Sequence, residues 1–267
     1  IDLSSTRLGT VRVCNTDGRK AELSKTIEAV LERGSITRSE LASLRGRLLF
    51  AEGQIFGRLA CQHMRTLSVS GAKPALRVEG MLKGALEFLR DRVVLGPPRH
   101  VSALPRTAYH VYTDACLEGG VGGLGGIVYD SHGAVKSFFS ETLDRASVRE
   151  LNWDDKETII YELETLAAVV GVIKLLPNPQ HSEMVVFIDN EATLAALISG
   201  RSDNALVAKL INELSRWDEA HDVALWFERV ASPSNPSDAP SRGDMANLTV
   251  ASRVRVEALQ FALGREG

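Results

Sequence analysis

The stretch His110-Val111-Tyr112-Thr113-Asp114 predicts a β-strand that runs directly into an acidic residue. Downstream, Gly126 to Tyr129 and Val135 to Phe139 predict two more strands. The residues between them, Asp130-Ser131-His132-Gly133, are typical of a hairpin turn. The region therefore begins with three consecutive strands.

Helices and strands alternate after this opening. Apolar residues recur at helical spacing from about Thr158 to Leu176, and the sequence Pro177-Asn178-Pro179 ends that helix. Met184 to Ile188 is a short apolar strand that ends at Asp189. The remaining predictions are helices over 191–198, 205–220 and 249–263, and a strand over 223–227. This order predicts an α/β domain.

Four acidic residues occupy distinctive local settings: Asp114, Glu164, Asp189 and Asp238. They are separated by 50, 25 and 49 residues, which is too far for a local metal loop such as an EF-hand. The fold must therefore bring them together. Four converging carboxylates can hold two divalent ions, which is the arrangement used to cleave a phosphodiester.

Simpler interpretations exist for individual members of this set. Asp189 precedes Asn190 and Glu191 at a helix start, where an aspartate often serves as a cap. Asp238 lies in a turn-like sequence. Helix caps and turns alone do not explain why four such residues follow one another in the order Asp-Glu-Asp-Asp, so we favour a shared site.

Two glutamates of the predicted helix over 158–176 are candidates for the second of the four acidic site residues. Glu162 and Glu164 point about 200° apart on a helix, so only one of them faces the site. Glu164 shares its edge with the small residues Ala167, Ala168 and Gly171, which permit close approach. We therefore expect Glu164 to be the site residue.

Residues 106 to about 245 resemble a ribonuclease H domain of the retroelement kind. The run Asn235-Pro-Ser-Asp-Ala-Pro-Ser-Arg242 is similar to the Asn-x-x-(Ala/Ser)-Asp-x-x-Ser-Arg ending found in gypsy-type and DIRS-like retrotransposon polyproteins. Leu163 to Ala167 resembles their Glu-x-Leu-Ala helix motif, and Tyr112 to Ala115 resembles the first-strand motif.

This resemblance implies an α/β fold with a ribonuclease H-like five-stranded mixed sheet and flanking helices. It also implies cleavage of the RNA strand of an RNA–DNA hybrid with two Mg²⁺ or Mn²⁺ ions. Asp114, Glu164, Asp189 and Asp238 would be the catalytic metal ligands, and Asn190 and Arg242 would bind nucleic acid. Many relatives carry a histidine in the loop before the last carboxylate, whereas residues 230–235 contain none.

The first 105 residues have a different character. Their net charge is +7, against −10 for residues 106–267. A basic segment suits phosphate contacts, although arginines that solvate helix faces are the ordinary alternative. Helices are predicted over 22–33, from a capping box at Thr37 and Glu40 onward, and over 75–94.

Arg38 to Glu52 is similar to the thumb segment of DIRS-like reverse transcriptases. The resemblance divides the chain into the end of a palm-like hairpin (1–20), a smaller, mostly helical thumb-like domain (21–74), a connecting helix with a proline-rich linker (75–105) and the ribonuclease H-like domain (106–267). It makes four arginines candidate nucleic-acid contacts: Arg38, Arg45, Arg47 and Arg58.

The polymerase itself is not visible, because the Tyr-x-Asp-Asp hairpin of its active site is missing. The chain starts at Ile1, so we expect a fragment, a processed piece or one subunit of something larger, with the rest of a reverse transcriptase polyprotein as a partner. Three cysteines without ligand spacing, no apolar run of transmembrane length and no signal peptide predict an intracellular protein without a membrane partner.

Two other functions stay open at this point. The ribonuclease H-like domain is alternatively a catalytically idle module for nucleic-acid binding or assembly, or a different enzyme such as a transposase-type nuclease or a phosphotransferase. Gly119 to Gly126 lack the lysine and the strand–loop–helix setting of a phosphate-binding loop. Close backbone packing is the favoured role of these glycines.

Overall fold

The computed structural model describes residues 1–54, 58–68, 74–176, 179–221, 223–248 and 251–265. The chain divides into two units, residues 1–105 and 106–267. Within the described ranges, no helix combines the length and apolar character needed to cross a membrane.

The first unit is built mainly from helices with short strand pairs. Its helices are α1 Asp17–Arg33, α2 Arg38–Gln54, α3 Cys61–Thr66 and α4 Gly80–Leu95, and its strands are β1 Thr10–Val13, β2 Ser35–Thr37, β3 Ala75–Arg77 and β4 Arg99–Ser102. Leucines and isoleucines of α1, α2 and α4, with Ile36 of β2, form its buried core. β1 pairs with β4, and β2 pairs with β3, both antiparallel.

Long-range pairing changes several of the predicted elements of this unit. The helix expected over 75–94 is wrong at its start, because β3 pairs with β2 and α4 begins only at Gly80. The segment expected to be a linker near residue 100 contains β4. The boundary expected at residue 20 falls inside α1.

The predicted capping box at the start of α2 is confirmed. The Thr37 backbone N–H donates to Glu40 Oε2 at 2.8 Å, and the Glu40 N–H donates to Thr37 Oγ1 at 3.2 Å. These two bonds satisfy backbone donors that the first helical turn leaves without partners. Ser68 to Pro74 are predicted from the sequence to form a linker, and most of that segment, residues 69–73, lies outside the described residues.

The second unit is organised around one mixed sheet. Its strands are β5 Thr107–Glu118, β6 Val121–Asp130, β7 Val135–Leu143, β8 Ser182–Ile188, β9 Val223–Arg229 and β10 Ser252–Arg253. In space they follow the order β10-β7-β6-β5-β8-β9. β5, β6 and β7 are antiparallel neighbours, whereas β8 runs parallel to β5 and β9 runs parallel to β8. The five predicted strands are present, and β10 adds a two-residue parallel strand beside β7.

Six helices flank this sheet in the described part of the unit. They are α5 Arg145–Leu151, α6 Ile160–Lys174, α7 Glu191–Ser199, α8 Ala205–Ala220, α9 Asp238–Ser241 and α10 Ala258–Leu263. Every residue of α6 from Glu162 to Val172 is buried, so this helix is the centre of the domain. The predicted α/β class, a mixed sheet with flanking helices, is confirmed.

One predicted helix of this unit begins later than expected. The helix expected over 249–263 is wrong at its start, because β10 occupies 252–253 and α10 begins at Ala258, whereas its end at Leu263 is confirmed. Glu257 has a φ of 48°, which interrupts any helix running into that position, and Glu141 Oε1 accepts a hydrogen bond from the Ala258 N–H at 2.9 Å. Residues 177 and 178, expected to end α6, lie outside the described residues, as do 249 and 250.

Candidate metal centre

The pairing of β5 with β8 sets Asp114 beside Asp189. Tyr112 of β5 is the register partner of Phe187 of β8, and their rings stack with centroids 4.5 Å apart. Each aspartate follows its aromatic partner by two positions, so continuing the register places the two carboxylates opposite each other. Parallel strand pairing therefore explains how residues 75 positions apart meet.

Helix α6 brings a single glutamate to this point. Glu164 is buried and lies close enough to both aspartates for their charges to act on it. Glu162 is engaged elsewhere, because its Oε1 accepts hydrogen bonds from Lys156 Nζ at 3.0 Å and from Asn204 Nδ2 at 2.6 Å. The two glutamates thus lie in separate surroundings, and only Glu164 faces the aspartates.

Three of the four predicted carboxylates converge. Asp114, Glu164 and Asp189 each offer one oxygen within 4.8 Å of the other two. Asp238 lies outside this group, although its charge still acts on Asp114. Its half-exposed carboxylate accepts a hydrogen bond from Arg242 Nε at 3.0 Å. We call the three converging residues the carboxylate trio.

Two glycines of β6 let α9 lie directly on the sheet. A Cβ atom at Gly123 or Gly125 would overlap with backbone atoms of α9, including those of Ser241. Asn235 holds the preceding turn because its Nδ2 donates to the Thr113 carbonyl at 2.9 Å. Close backbone packing, the role predicted for these glycines, is confirmed, and it carries Asp238 to the edge of the trio.

The cap interpretation of Asp189 is wrong. Asn190 is the N-cap of α7, since its Oδ1 accepts a hydrogen bond from the Thr193 N–H at 3.0 Å. Asp189 is left with its carboxylate in the trio. Contact of Asn190 with nucleic acid stays a prediction.

Burial and mutual repulsion raise the pKa of two members of the trio. Burial raises the pKa of Glu164 to about 9, and the charges of Asp114 and Asp189 add to this, whereas the Ala115 N–H opposes it. Burial likewise raises the pKa of Asp114 to about 6, against a hydrogen bond from Ser241. A cation among these oxygens would stabilise their ionised forms and so reverse the direction of both shifts.

The trio fits a divalent metal ion on the evidence of one atom in particular. Glu164 Oε2 is buried and has no hydrogen-bond partner among the residues that the structure describes. A buried carboxylate oxygen without a partner is costly unless a cation neutralises it. Ligands that are all oxygen suit Mg²⁺ or Mn²⁺.

Arg242 forms ion pairs within the second unit. It contacts Asp238 through Nε and Glu118 through Nη1. Its guanidinium is half exposed at the rim of the site, so it remains accessible to a substrate phosphate. Its predicted role in nucleic-acid binding stays a prediction.

The four arginines predicted in the first unit do not form one row. Arg38 and Arg45 lie two helical turns apart on the same side of α2, whereas Arg47 points about 200° away from Arg45. Arg47 Nη1 pairs with Glu22 Oε1 at 2.7 Å. Arg58 lies beyond the end of α2, shortly before α3. Their contact with nucleic acid stays a prediction.

Ser241 and Asn235 belong to the site but were not among the predicted site residues. Ser241 Oγ donates to Asp114 Oδ2 at 2.6 Å, and Asn235 ties the turn before α9 to β5. Both lie inside the 235–242 motif that pointed to Asp238, so that motif is the sequence feature from which they could have been predicted. Their partners are more than 100 residues away, which local sequence cannot show.

Neither a family model nor a curated protein sequence matches the chain. Solved ribonuclease H domains are similar to it in structure over about half its length. The N-terminal ribonuclease H domain of a Mycobacterium tuberculosis protein, solved as a fusion with maltose-binding protein, is 15% identical, covers 54% of this chain and 96% of its own, and has a TM-score of 0.38.

Two further structures are similar to the same extent. Ribonuclease H1 from Halobacterium salinarum is 12% identical, covers 52% of this chain and 98% of its own, and has a TM-score of 0.36. The LC11 ribonuclease H1, solved in complex with an RNA/DNA hybrid, is 13% identical, covers 53% and 99%, and has a TM-score of 0.39. At such low identity these likenesses concern the fold class alone.

Proposed function

We propose that the second unit is a metal-dependent ribonuclease H that cleaves the RNA strand of RNA–DNA hybrids with two Mg²⁺ or Mn²⁺ ions. The observation that carries the proposal is the carboxylate trio, in which Asp114 and Glu164 are buried and Glu164 Oε2 lacks a partner among the described residues. Bound there, two divalent ions would activate the attacking water and stabilise the leaving oxygen.

The chain's own residues would divide the work. Asp114 and Glu164 offer buried carboxylates from a strand and a central helix, which keeps them rigid. Asp189 is only partly buried and would form the rim that faces solvent and substrate. Asp238 would complete the set from α9, with Asn190 and Arg242 contacting the nucleic-acid backbone.

We further propose that the chain is a C-terminal part of a retroelement reverse transcriptase that acts inside the cell. The support is the thumb-like motif of Arg38 to Glu52, the motif at 235–242 and the basic charge of the first 105 residues. Arg38, Arg45, Arg47 and Arg58 would then contribute phosphate contacts. The rest of the polyprotein would supply the polymerase site.

Cleavage of labelled substrates tests the main proposal. RNA–DNA hybrid, RNA duplex and DNA duplex are incubated with Mg²⁺ or Mn²⁺ and either the wild-type chain or the Asp114→Asn, Asp189→Asn double variant. We expect the wild type to cut only the RNA strand of the hybrid, and the double variant and EDTA to abolish cutting. Equal cutting by the double variant would refute the proposed site, and cutting or joining of DNA would identify another enzyme on this fold.

One observation favours the idle module as a second candidate. Asp238 pairs with Arg242 and lies outside the trio, so the fourth carboxylate is not yet in place. If this pair persists with substrate bound, the domain would grip a hybrid without cleaving it. Tight hybrid binding in a filter assay, with no cleavage at any metal concentration, would support this alternative.

A further inference from the structure

Ser241 is a buried hydroxyl that touches two parts of the candidate centre at once. Its Oγ lies 2.6 Å from Asp114 Oδ2 and 2.9 Å from the carbonyl oxygen of Asp238. A hydroxyl carries one proton, so it donates to only one of these acceptors at a time unless the bond is shared. A short bond to an ionised carboxylate is the stronger of the two.

The backbone around Ser241 is fixed independently of this hydroxyl. The Ser241 N–H donates to the Ser237 carbonyl at 3.0 Å, and the Ser241 carbonyl accepts a contact from Cys116 Sγ at 3.3 Å. Gly123 and Gly125 admit this backbone directly onto β6. Removing the hydroxyl alone should therefore leave α9 in place.

We propose that Ser241 is a positioning residue that orients the Asp114 carboxylate for metal binding and couples it to the helix that carries Asp238. The inference rests on the proposed function. The bond fixes the plane of the Asp114 carboxylate, so that the carboxylate enters the trio in one orientation. Because Ser241 belongs to α9, the same bond also links the orientation of the Asp114 carboxylate to the helix that carries Asp238.

Ser140 provides a matched control. Its Oγ donates to the Pro240 carbonyl at 2.7 Å, so it holds the same turn, and within the described part of the chain it forms no hydrogen bond with Asp114. Ser140→Ala and Ser241→Ala each remove one hydroxyl that contacts a backbone carbonyl of α9. Only Ser241→Ala removes a hydroxyl that also touches the trio.

The first readout uses no substrate. The rise in melting temperature on adding Mn²⁺ is titrated for wild type and both single variants, which gives an apparent metal affinity. Removing a group that orients a metal ligand typically costs about 10- to 100-fold in affinity, so we expect Ser241→Ala to weaken Mn²⁺ binding by about tenfold or more. We expect Ser140→Ala to leave it within about twofold of wild type. Equal loss in both variants, or no loss in Ser241→Ala, would overturn the inference.

A second readout is independent of metal and hybrid. The melting temperatures of Ser241→Ala, Asp114→Asn and the double variant are compared in EDTA as a double-mutant cycle. We expect the two substitutions to be non-additive, whereas additivity would overturn the inference. If the cycle shows coupling but the wild-type chain neither binds Mn²⁺ nor cuts hybrid, the proposed function is refuted instead. Metal binding and cutting with additive variants would refute only the role of Ser241.

Discussion

Asp114 and Asp189 each follow, by two positions, one member of the stacked pair Tyr112 and Phe187 on adjacent parallel strands. Strand register alone therefore sets the two carboxylates side by side. Glu164 then reaches them from α6, which packs against β5. The resulting trio is crowded with acidic groups.

Glu164→Gln should abolish the stabilisation by divalent metal and hybrid cleavage, because it removes the charge of the buried carboxylate that faces both aspartates. Glu162→Gln is the matched control, two residues away on the same helix. It should lower the melting temperature, since Glu162 holds Lys156 and Asn204. It should still respond to Mn²⁺. Thermal scans with Mn²⁺ and with EDTA measure both effects, and the reverse pattern would assign the site to Glu162.

Without metal, the second unit should lose stability as the pH rises. The pKa of Glu164 is raised from 4.5 to about 9, and that of Asp114 from 3.8 to about 6. The folded state thus holds these protons more tightly than the unfolded state does. Their contribution is complete at low pH and is lost as the pH rises through the shifted values. For Glu164 the loss is at most about 1.4 kcal/mol for each pH unit crossed.

This pH dependence is measured as the melting temperature in EDTA between pH 6 and pH 9. We expect a fall for the wild type and a flatter profile for Glu164→Gln. Because metal competes with protons for the same oxygens, the rise produced by Mn²⁺ should grow with pH. Identical profiles for the two proteins in EDTA would show that Glu164 does not titrate in this way.

Arg242→Ala should weaken hybrid binding with little loss of stability. The side chains in its ion pairs with Asp238 and Glu118 are at least half exposed, and exposed pairs contribute little to stability. If Arg242 contacts a phosphate, its removal raises KM for the hybrid. The slope of log K for hybrid binding against log salt concentration should also become shallower by about one unit. Arg229→Ala, which removes an exposed pair with Glu191, is the control. Equal KM values for the two variants would contradict a phosphate contact by Arg242.

Gly125→Ala should displace α9 from the sheet. The added methyl group would overlap with the backbone of Ser241 and Pro240, and forced overpacking of this kind costs about 1–3 kcal/mol. We expect a lower melting temperature and weaker Mn²⁺ binding together. Gly84→Ala in α4 is a suitable control. The added Cβ has no atom within 4 Å outside the local helix backbone, and alanine favours the helical conformation. Unchanged Mn²⁺ binding in Gly125→Ala would mean that the close packing of α9 does not matter to the site.

Local sequence patterns were sufficient for elements that carry their own signals. The capping box at Thr37, the strand that ends before Asp189 and the buried helix around Glu164 all appear where they were predicted. Predictions failed where a partner far along the chain decides the structure. Residues 75–77 form a strand because they pair with residues 35–37, and 252–253 because they pair with β7.

The sequence by itself determined which residues are acidic at strand ends and on the central helix, and which glycines permit close packing. Only the tertiary structure decided that Asp114, Glu164 and Asp189 converge on one point while Asp238 pairs with Arg242. The physical reason is that periodicity and capping act over a few residues, whereas strand register and backbone contact join groups from 25 to 127 positions apart.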